Sequence, residues 1–541
     1  MKLVWKRICS VHISTFLISV TSTSIVFGVS FGERFNQLSN RLPGSAFSDS
    51  GFLAGRFVSM RESGLNPFAL GNLTAIGWPY GVNNRAPINY TAPLSVLVNF
   101  FGFAWAGPIS QHLLFSILGV LVSGVCVAVV VRKHTNSFAL SMAASLATVT
   151  GSPMLHWAQE APSYAYIGLL VVLLDYACEA VNNVSIRNNA KSIGCFLICF
   201  WWLQYFALFS VILLLSVVIV SIAQNRRAPF NFLTWHVVAL FVGIVPYVGV
   251  RIFTPSAVPN RLNTDGSALA LNLNEIISTD SYFYIGRAIV VGFGLFIFLW
   301  ISKKHFSKSN LQSLSCAAWS GLVAIVLCLL FLGNWNEGPF LFTSRWISTL
   351  VPQFRHGKYS AHLIQIVLIF CICELIQRTN KRLFVVHLLA LTLMSVTLID
   401  GMRQDFSGGD RLLQLVKTPS AVELLAQYPK GPVANFPWEL SSEFGATSDA
   451  TPCLRQAVTH KPVVNVCDYD EPPTRLIQQV QLTSSCNKLG VLKSAGVKYL
   501  IVDFSSNQPV LMNCIKLNKS IKLIATSDDV TVWQFLSLTR R

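Results

Sequence analysis

Charge is what this sequence has least of. Only 12% of its 541 residues are Asp, Glu, Lys or Arg, against about 25% in an ordinary soluble domain. The acids are the scarcer sign, 24 against 41 Lys and Arg. Hydrophobic residues make up 52% of the chain and the mean hydropathy is +0.53. So little polar surface excludes a soluble globular enzyme of this length, and the composition equally excludes a disordered chain, a collagen and a small disulfide scaffold. Also missing are a GxGxxG, a P-loop, an internal repeat, a low-complexity tract and any Cys/His spacing of the zinc type. The motif-level routes to nucleotide and zinc chemistry are therefore closed.

Long apolar runs are what the chain has instead. They fall at roughly 8–30, 109–131, 137–150, 163–180, 193–206, 207–224, 234–252, 284–302, 314–332, 360–377 and 383–400, most of them near the ~20 residues that cross a bilayer. About eleven transmembrane helices are expected, the third and fifth short enough to tilt, thin the bilayer or re-enter. The net charge of +17 is distributed as a topology signal. One set of linkers holds Lys2, Lys6, Arg7, Arg132, Lys133, Arg187, Lys191, Arg226, Arg227, Lys303, Lys304, Lys308, Arg378, Lys381 and Arg382, with no acid among them. The short linkers on the other side, 151–162 and the turn near Gln204, carry no Lys or Arg. Basic loops stay cytoplasmic, so the N-terminus is expected in the cytoplasm, and nucleic acid has no place as a partner. The first run reads as a retained helix rather than a signal peptide, because it is longer than an h-region and no A-x-A-like site follows.

Three parts follow: the first helix (1–30) with a long loop outside the membrane (31–108), the remaining bundle (109–400), and a C-terminal domain (401–541) expected outside. The tail holds 15 Lys/Arg and 12 Asp/Glu and reads as α/β. VANFPW (433–438), PVVNV (462–466) and VKYLIVDF (497–504) are strand-type runs, and 521–536 reads as a hairpin around Asp528-Asp529. PTRLIQQVQLTSSCNKLGVLKSAG (473–496) has helical periodicity. Nine of the 13 cysteines lie in apolar runs as small buried hydrophobes. The other four, Cys453, Cys467, Cys486 and Cys514, all fall in the tail, where an outside location permits disulfides. Cys453–Cys467 with Cys486–Cys514 is the sequence-local pairing, one of three possible.

The first loop is too long to lack a structure or a job. Ser48-Asp49-Ser50-Gly51 precedes an amphipathic run from Phe52 to Glu62 that ends at Ser63-Gly64, a helix with an N-cap and a C-terminal glycine. Leu94–Trp105, with Phe100, Phe101, Phe103 and Trp105, suits a helix lying in the membrane interface. A span, an outside loop with an early acid, many further spans and an outside α/β tail together resemble the GT-C class of integral-membrane glycosyltransferases. More closely, SDSGFLAGRFVSMRESGLNPF, WPYGVNNRAPINYTAPL and GSPMLHWAQEAP are similar to a group of bacterial polytopic membrane proteins. YPKGPVANFPW (428–438), HKPVV (460–464) and GVKYLIVDF (496–504) match the outside domain of that group. One departure stands out: where the group often has His after the AQ pair, this chain has Glu160-Ala161-Pro162.

The resemblance implies a fold, an α-helical polytopic GT-C-like bundle with an extracytoplasmic α/β domain, in a bacterial inner membrane. It implies a polyprenyl-phosphate sugar donor, a glycan or lipid-linked acceptor, membrane lipids around the bundle, and either no cofactor or a divalent cation. Transfer needs a base on the acceptor hydroxyl. Asp49 matches the acidic position of the class, as base or metal ligand; its competing role is the N-cap of its helix. Glu160, with His156 one turn earlier, stands in a linker held close to the membrane, placed to orient a sugar, assist the base or bind a cation; a solvated loop acid is the alternative. For the phosphate, Arg355, Arg345 and His356 lie between the ninth and tenth spans, where Arg binds phosphate oxygens bidentately or snorkels to lipid headgroups. Trp78 is a candidate for stacking on a sugar ring and Asn83 for hydrogen bonding to it. The competing function is a non-enzymatic transporter, flippase or accessory protein for polyprenyl-linked saccharides, although paired broken helices in two related halves are not visible in the sequence.

Overall fold

The computed structural model describes residues 41–43, 49–67, 72–83, 92–151, 161–224, 229–253, 314–332, 359–379, 383–406, 415–436, 451–465, 474–503, 509–527 and 530–536, with a few isolated positions besides. In chain order the first loop holds β1 (Arg41–Pro43), α1 (Asp49–Glu62), β2 (Asn72–Leu73), β3 (Val82–Asn83) and α2 (Pro93–Gly102). The bundle is α3 (Ser110–Thr135), α4 (Phe138–Val149), α5 (Leu169–Asn182), α6 (Ile186–Trp202), α7 (Gln204–Ala223), α8 (Pro229–Phe253), α9 (Cys316–Leu332), α10 (Ser360–Thr379) and α11 (Leu383–Phe406). The tail adds β4 (Leu415–Lys417), α12 (Ser420–Leu425), β5 (Val433–Phe436), α13 (Thr451–Thr459), α14 (Arg475–Leu482) and α15 (Ser485–Ser494). It closes with β6 (Tyr499–Asp503), α16 (Pro509–Leu517), β7 (Ile521–Thr526) and β8 (Val530–Phe535).

These bundle helices stand at nine of the eleven expected spans; 8–30 and most of 284–302 lie outside the described residues. Among the described residues four helices are long and apolar enough to cross a membrane on their own: Ser110–Thr135, Pro162–Asn182, Gln204–Ala223 and Ser360–Arg378. α4 is 12 residues, about 18 Å at 1.5 Å per residue, well short of a ~30 Å hydrocarbon layer. It is largely buried because α3, α10 and α11 pack against it.

Several helix boundaries differ from the sequence reading. α6 begins at Ile186 rather than near 193, because Ser185 caps it by accepting the Asn188 N–H and the polar turn that follows is helical too. It ends at Trp202, where Leu203 is extended (φ −160°, ψ 142°), at the turn expected near Gln204 although the apolar run extends to 206. The tail's 473–496 run is not one helix but two, because Thr483 and Ser484 are both extended. α11 also continues to Phe406, past the expected boundary at 400.

The tail's main sheet has the order β5-β6-β8-β7, with β5 and β6 parallel and the rest antiparallel. Val433–Phe436 and Tyr499–Val502 are buried, as parallel strands covered on both faces must be. Arg455 on α13 ties the layers together, its guanidinium donating to Asn435 on β5 at 3.1 Å and to Asp503 on β6 at 2.6 Å. Cys486 and Cys514 join α15 to α16 through a disulfide. Cys453 is disulfide-bonded as well, and Cys467, its expected partner, lies outside the described residues.

Sequence distance hides how the first loop and the tail meet. β1 pairs antiparallel with β4. Ile76 bridges Val463 in parallel, and Val463 bridges Val433 of β5, so the loop adds an edge to the tail's sheet. α1 runs parallel to α13. A Cβ on Gly55 would meet the carbonyl of Cys453, so only glycine allows this approach, and Ala54, Val58, Leu454 and Ala457 fill the seam beside it.

Candidate functional site

The linker between α4 and α5, which carries His156 and Glu160, is held against α3 by residues three and four apart on one helix face. Ser116 donates to the carbonyl of Ala158. Gly119 leaves the room in which Ala165 and the Tyr166 ring sit. Ser123 donates to Ala165 O at 2.6 Å and accepts the Gly168 N–H at 2.9 Å. Small and hydroxylic residues let backbone approach backbone in a membrane bundle. Tyr166 Oη donates to Phe115 O at 3.0 Å and locks the far end.

Tyr164 and Tyr359 stack with ring centroids 4.5 Å apart, and Tyr205 packs on Tyr359 at 4.3 Å. Tyr164 follows Glu160 by four residues and Tyr359 follows His356 by three. The tyrosine cluster therefore joins the end of the Glu160 linker to the start of α10, the two segments singled out for acid and phosphate chemistry. His156, Glu160, Arg345, Arg355 and His356 themselves lie outside the described residues.

A second connection was not read from the sequence. Arg61, near the end of α1, donates from Nη2 to Phe100 O and to Gln111 Oε1, both at 2.9 Å, with its guanidinium 4.7 Å from the centre of the Phe100 ring. Burial holds its pKa below the usual arginine value. Gln111 donates to Asn99 Oδ1 at 3.4 Å, and Asn99 Nδ2 lies 3.2 Å from His112 Nδ1. His112 stacks on Phe57 of α1. It is fully buried, and its Nε2 has no hydrogen-bond partner among the described residues. Ser59 Oγ of α1 and the side-chain amide of Gln456 on α13 are buried and unpartnered in the same way. Ser95 on α2 meets Ser163 of the linker at 2.5 Å, which ties α2 to the same cluster. The signal for this network was the pair Gln111-His112 opening an otherwise apolar run, with Asn99 inside another.

Asp49 is the first residue of α1, about 18 Å along the helix from Arg61 at 1.5 Å per residue. Asn83 is in β3, paired with Asn72. Trp78 stands in the joint with the tail: its backbone N–H donates to Val463 O at 3.0 Å and its ring lies over Gly496. Glu62 accepts from the His460 ring at 3.0 Å. α1, α2, the 161–168 linker, the start of α10 and the tail's sheet thus converge on one end of the bundle. No three His, Cys, Asp or Glu side chains come together as a metal site among the described residues.

The opposite end holds a second group of acids. Asp175 accepts from Lys133 at 2.7 Å and sits 2.8 Å from His134; Lys133 also reaches Glu179 at 2.5 Å. Glu374, fully buried, accepts Ser315 N and Oγ, both at 2.6 Å, with Arg378 3.5 Å away. Each of these carboxylates is thus held by a partner.

No protein-family model matches the chain, and no curated protein matches it. Solved structures do. The cryo-EM structure of the arabinofuranosyltransferase AftD from Mycobacteria superposes with a TM-score of 0.57 at 14% identity, over 96% of this chain and 40% of that one. The crystal structure of ArnT from Cupriavidus metallidurans bound to undecaprenyl phosphate superposes with a TM-score of 0.51 at 12% identity, over 96% of this chain and 97% of ArnT. The Archaeoglobus fulgidus oligosaccharyltransferase, crystallised with Zn and sulfate, gives 0.50 at 13% identity, over 96% and 74%. The chain spans two-fifths of the mycobacterial transferase's length and nearly all of ArnT's. At these identities the likeness is one of fold.

Proposed function

We propose that this integral membrane protein, whose fold is of the GT-C type, is a glycosyltransferase moving one sugar from a polyprenyl-phosphate carrier to a glycan or lipid-linked acceptor. The observation that carries this reading is the convergence of the first loop, the Glu160 linker, the start of α10 and the tail at one end of the bundle. End-to-end superposition on a transferase crystallised with undecaprenyl phosphate supports the choice of donor. The reaction is placed on the extracytoplasmic face of a bacterial inner membrane, with the basic linkers in the cytoplasm and the disulfides of the tail in an oxidising compartment.

The reaction balances simply. The acceptor oxygen bonds to the anomeric carbon as the bond from that carbon to the phosphate oxygen breaks, and polyprenyl phosphate leaves with the electron pair. Asp49 takes the acceptor proton in this scheme. Arg355, aided by Arg345 and His356, holds the phosphate, and Glu160 with His156 orients the sugar.

Asp49→Asn tests the reading. A general base contributes roughly 10²–10⁴-fold, whereas at the first position of α1 loss of one carboxylate charge costs the helix about 0.3–1 kcal/mol. Cells carrying the variant should insert the protein normally yet show the lipid-linked sugar and glycan profile of cells lacking the gene. Wild-type glycan levels in the variant would remove Asp49 from the reaction. Arg355→Lys, which keeps the charge and loses the planar fork, should weaken donor binding without altering the tail.

A further inference from the structure

Three short motifs in the tail take no part in the proposed transfer: YPKGP at 428–432, HKPVV at 460–464 and GVKY at 496–499. The fold brings them to one place, and each delivers a lysine. Three successive carbonyls of the 428–430 turn are each bonded from outside it. Tyr428 O accepts from Lys461 Nζ at 2.7 Å, Pro429 O from Tyr499 Oη at 2.8 Å, and Lys430 O from Lys498 Nζ at 3.1 Å. Gly431 is required where the Lys498 stem crosses, because a Cβ there would collide with it. The turn is therefore rigid, with Lys430 and Lys498 exposed on it.

Lys461 sits beneath. Only 1% of the residue is exposed, and its ammonium rests 5.7 Å from the centre of the Tyr499 ring. Burial and the neighbouring charges of Lys430 and Lys498 depress its pKa. Among the described residues none of the three lysines forms an ion pair with a carboxylate. Three cations gathered with no carboxylate paired to them among the described residues, one of them buried, repel one another. The arrangement makes sense when something negative completes it.

We propose that this face of the tail binds an anionic saccharide, one bearing carboxylate or phosphate groups, as the acceptor side of the proposed transfer. Lys430 and Lys498 contact the anion and Lys461 adds its field from below. Trp78 borders the patch: it is half-buried, bonded to Val463 two residues past Lys461, and its ring covers Gly496 two residues before Lys498. An aromatic face beside ammonium groups suits a charged sugar. A membrane surface suits it less, because docking there needs apolar side chains to insert, and no large apolar side chain of these three segments is exposed. The proposal rests on glycosyl transfer for its choice of ligand, and the test measures binding without turnover, so the two readings fail separately.

Full-length protein in phosphatidylcholine nanodiscs is titrated with tetragalacturonate and with neutral maltotetraose. The wild type should bind the uronate and not the neutral oligomer, more weakly as salt rises. The double variant K430Q/K498Q, which alters only exposed side chains, should lose about tenfold in affinity, the scale expected for two exposed charges. K461M should weaken binding too, and if it fails to fold the double variant decides alone. Equal affinity in wild type and double variant, or equal binding of both oligomers, overturns the proposal. So does a loss confined to phosphatidylglycerol vesicles, which would make the patch a membrane-docking surface.

Discussion

The two ends of the bundle handle polar groups in opposite ways. At the basic end Lys133, His134, Asp175 and Glu179 pair with one another, and Glu374 accepts both Ser315 N and Ser315 Oγ. At the end that carries the loop and tail, Arg61, Gln111, Asn99 and His112 form an open chain whose last nitrogen has no partner among the described residues. A closed network stabilises and orders helix ends. An open one inside a buried joint keeps capacity for a ligand, and a buried unsatisfied polar atom calls for such an explanation. Polar residues in a membrane bundle are expensive wherever they occur, so the contrast separates polar groups held for structure from those that keep capacity for a ligand.

Breaking the closed end should cost stability and little else. Asp175→Ala removes the shared acceptor of Lys133 and His134. Orphaning a buried ion costs about 3–5 kcal/mol, and with the Lys133 side chain 40% exposed the expectation falls to about 2 kcal/mol. Thermal unfolding in detergent checks it: the melting temperature drops while glycan transfer per folded molecule stays near wild type. Loss of transfer at unchanged stability would assign chemistry to that end.

The seam between α1 and α13 gives the next effect. Gly55→Val forces a side chain against the Cys453 carbonyl, and overpacking of this kind costs about 1–3 kcal/mol. Limited proteolysis should find the tail loosened from the first loop, with the bundle intact. Unchanged protection would mean that α1 and α13 do not dock as described.

The smallest effect sharpens the open end. Arg61→Lys keeps a cation and loses the two-pronged grip on Phe100 O and Gln111 Oε1. One charge-assisted hydrogen bond contributes about 1.5–3 kcal/mol to the fold; with the lysine recovering one of the two, the melting temperature should fall modestly, while the displaced joint lowers transfer per folded molecule about tenfold. Equal losses of both would make Arg61 a structural residue only.

Much of this organisation was legible from residues alone, and the exceptions share a cause. Hydropathy located nine described helices because an apolar run is a local signal. The turn expected near Gln204 stands at Leu203, but the apolar run before it was drawn to 206 because Leu203 is as apolar as its neighbours and one extended residue leaves no trace in composition. Periodicity located α1, yet the docking of α1 on α13 depends on two segments 398 positions apart at Glu62 and His460, and no window sees both. The lysine patch is of the same kind: each motif was noticed singly, and only the sheet register made them neighbours. Trp78, a candidate for sugar stacking, stands at the joint that links the loop to that patch.

A polyprenyl phosphate carrying a photoreactive group next to the phosphate tests the central assignment most directly. Cross-linked peptides from protein in native membranes should come from the loop-and-tail end: residues 92–116, the 151–168 linker, and 345–363. Labelling of the ends of α3 and α5 around Lys133 and Asp175 instead would place the lipid phosphate at the closed, ion-paired end and contradict the account.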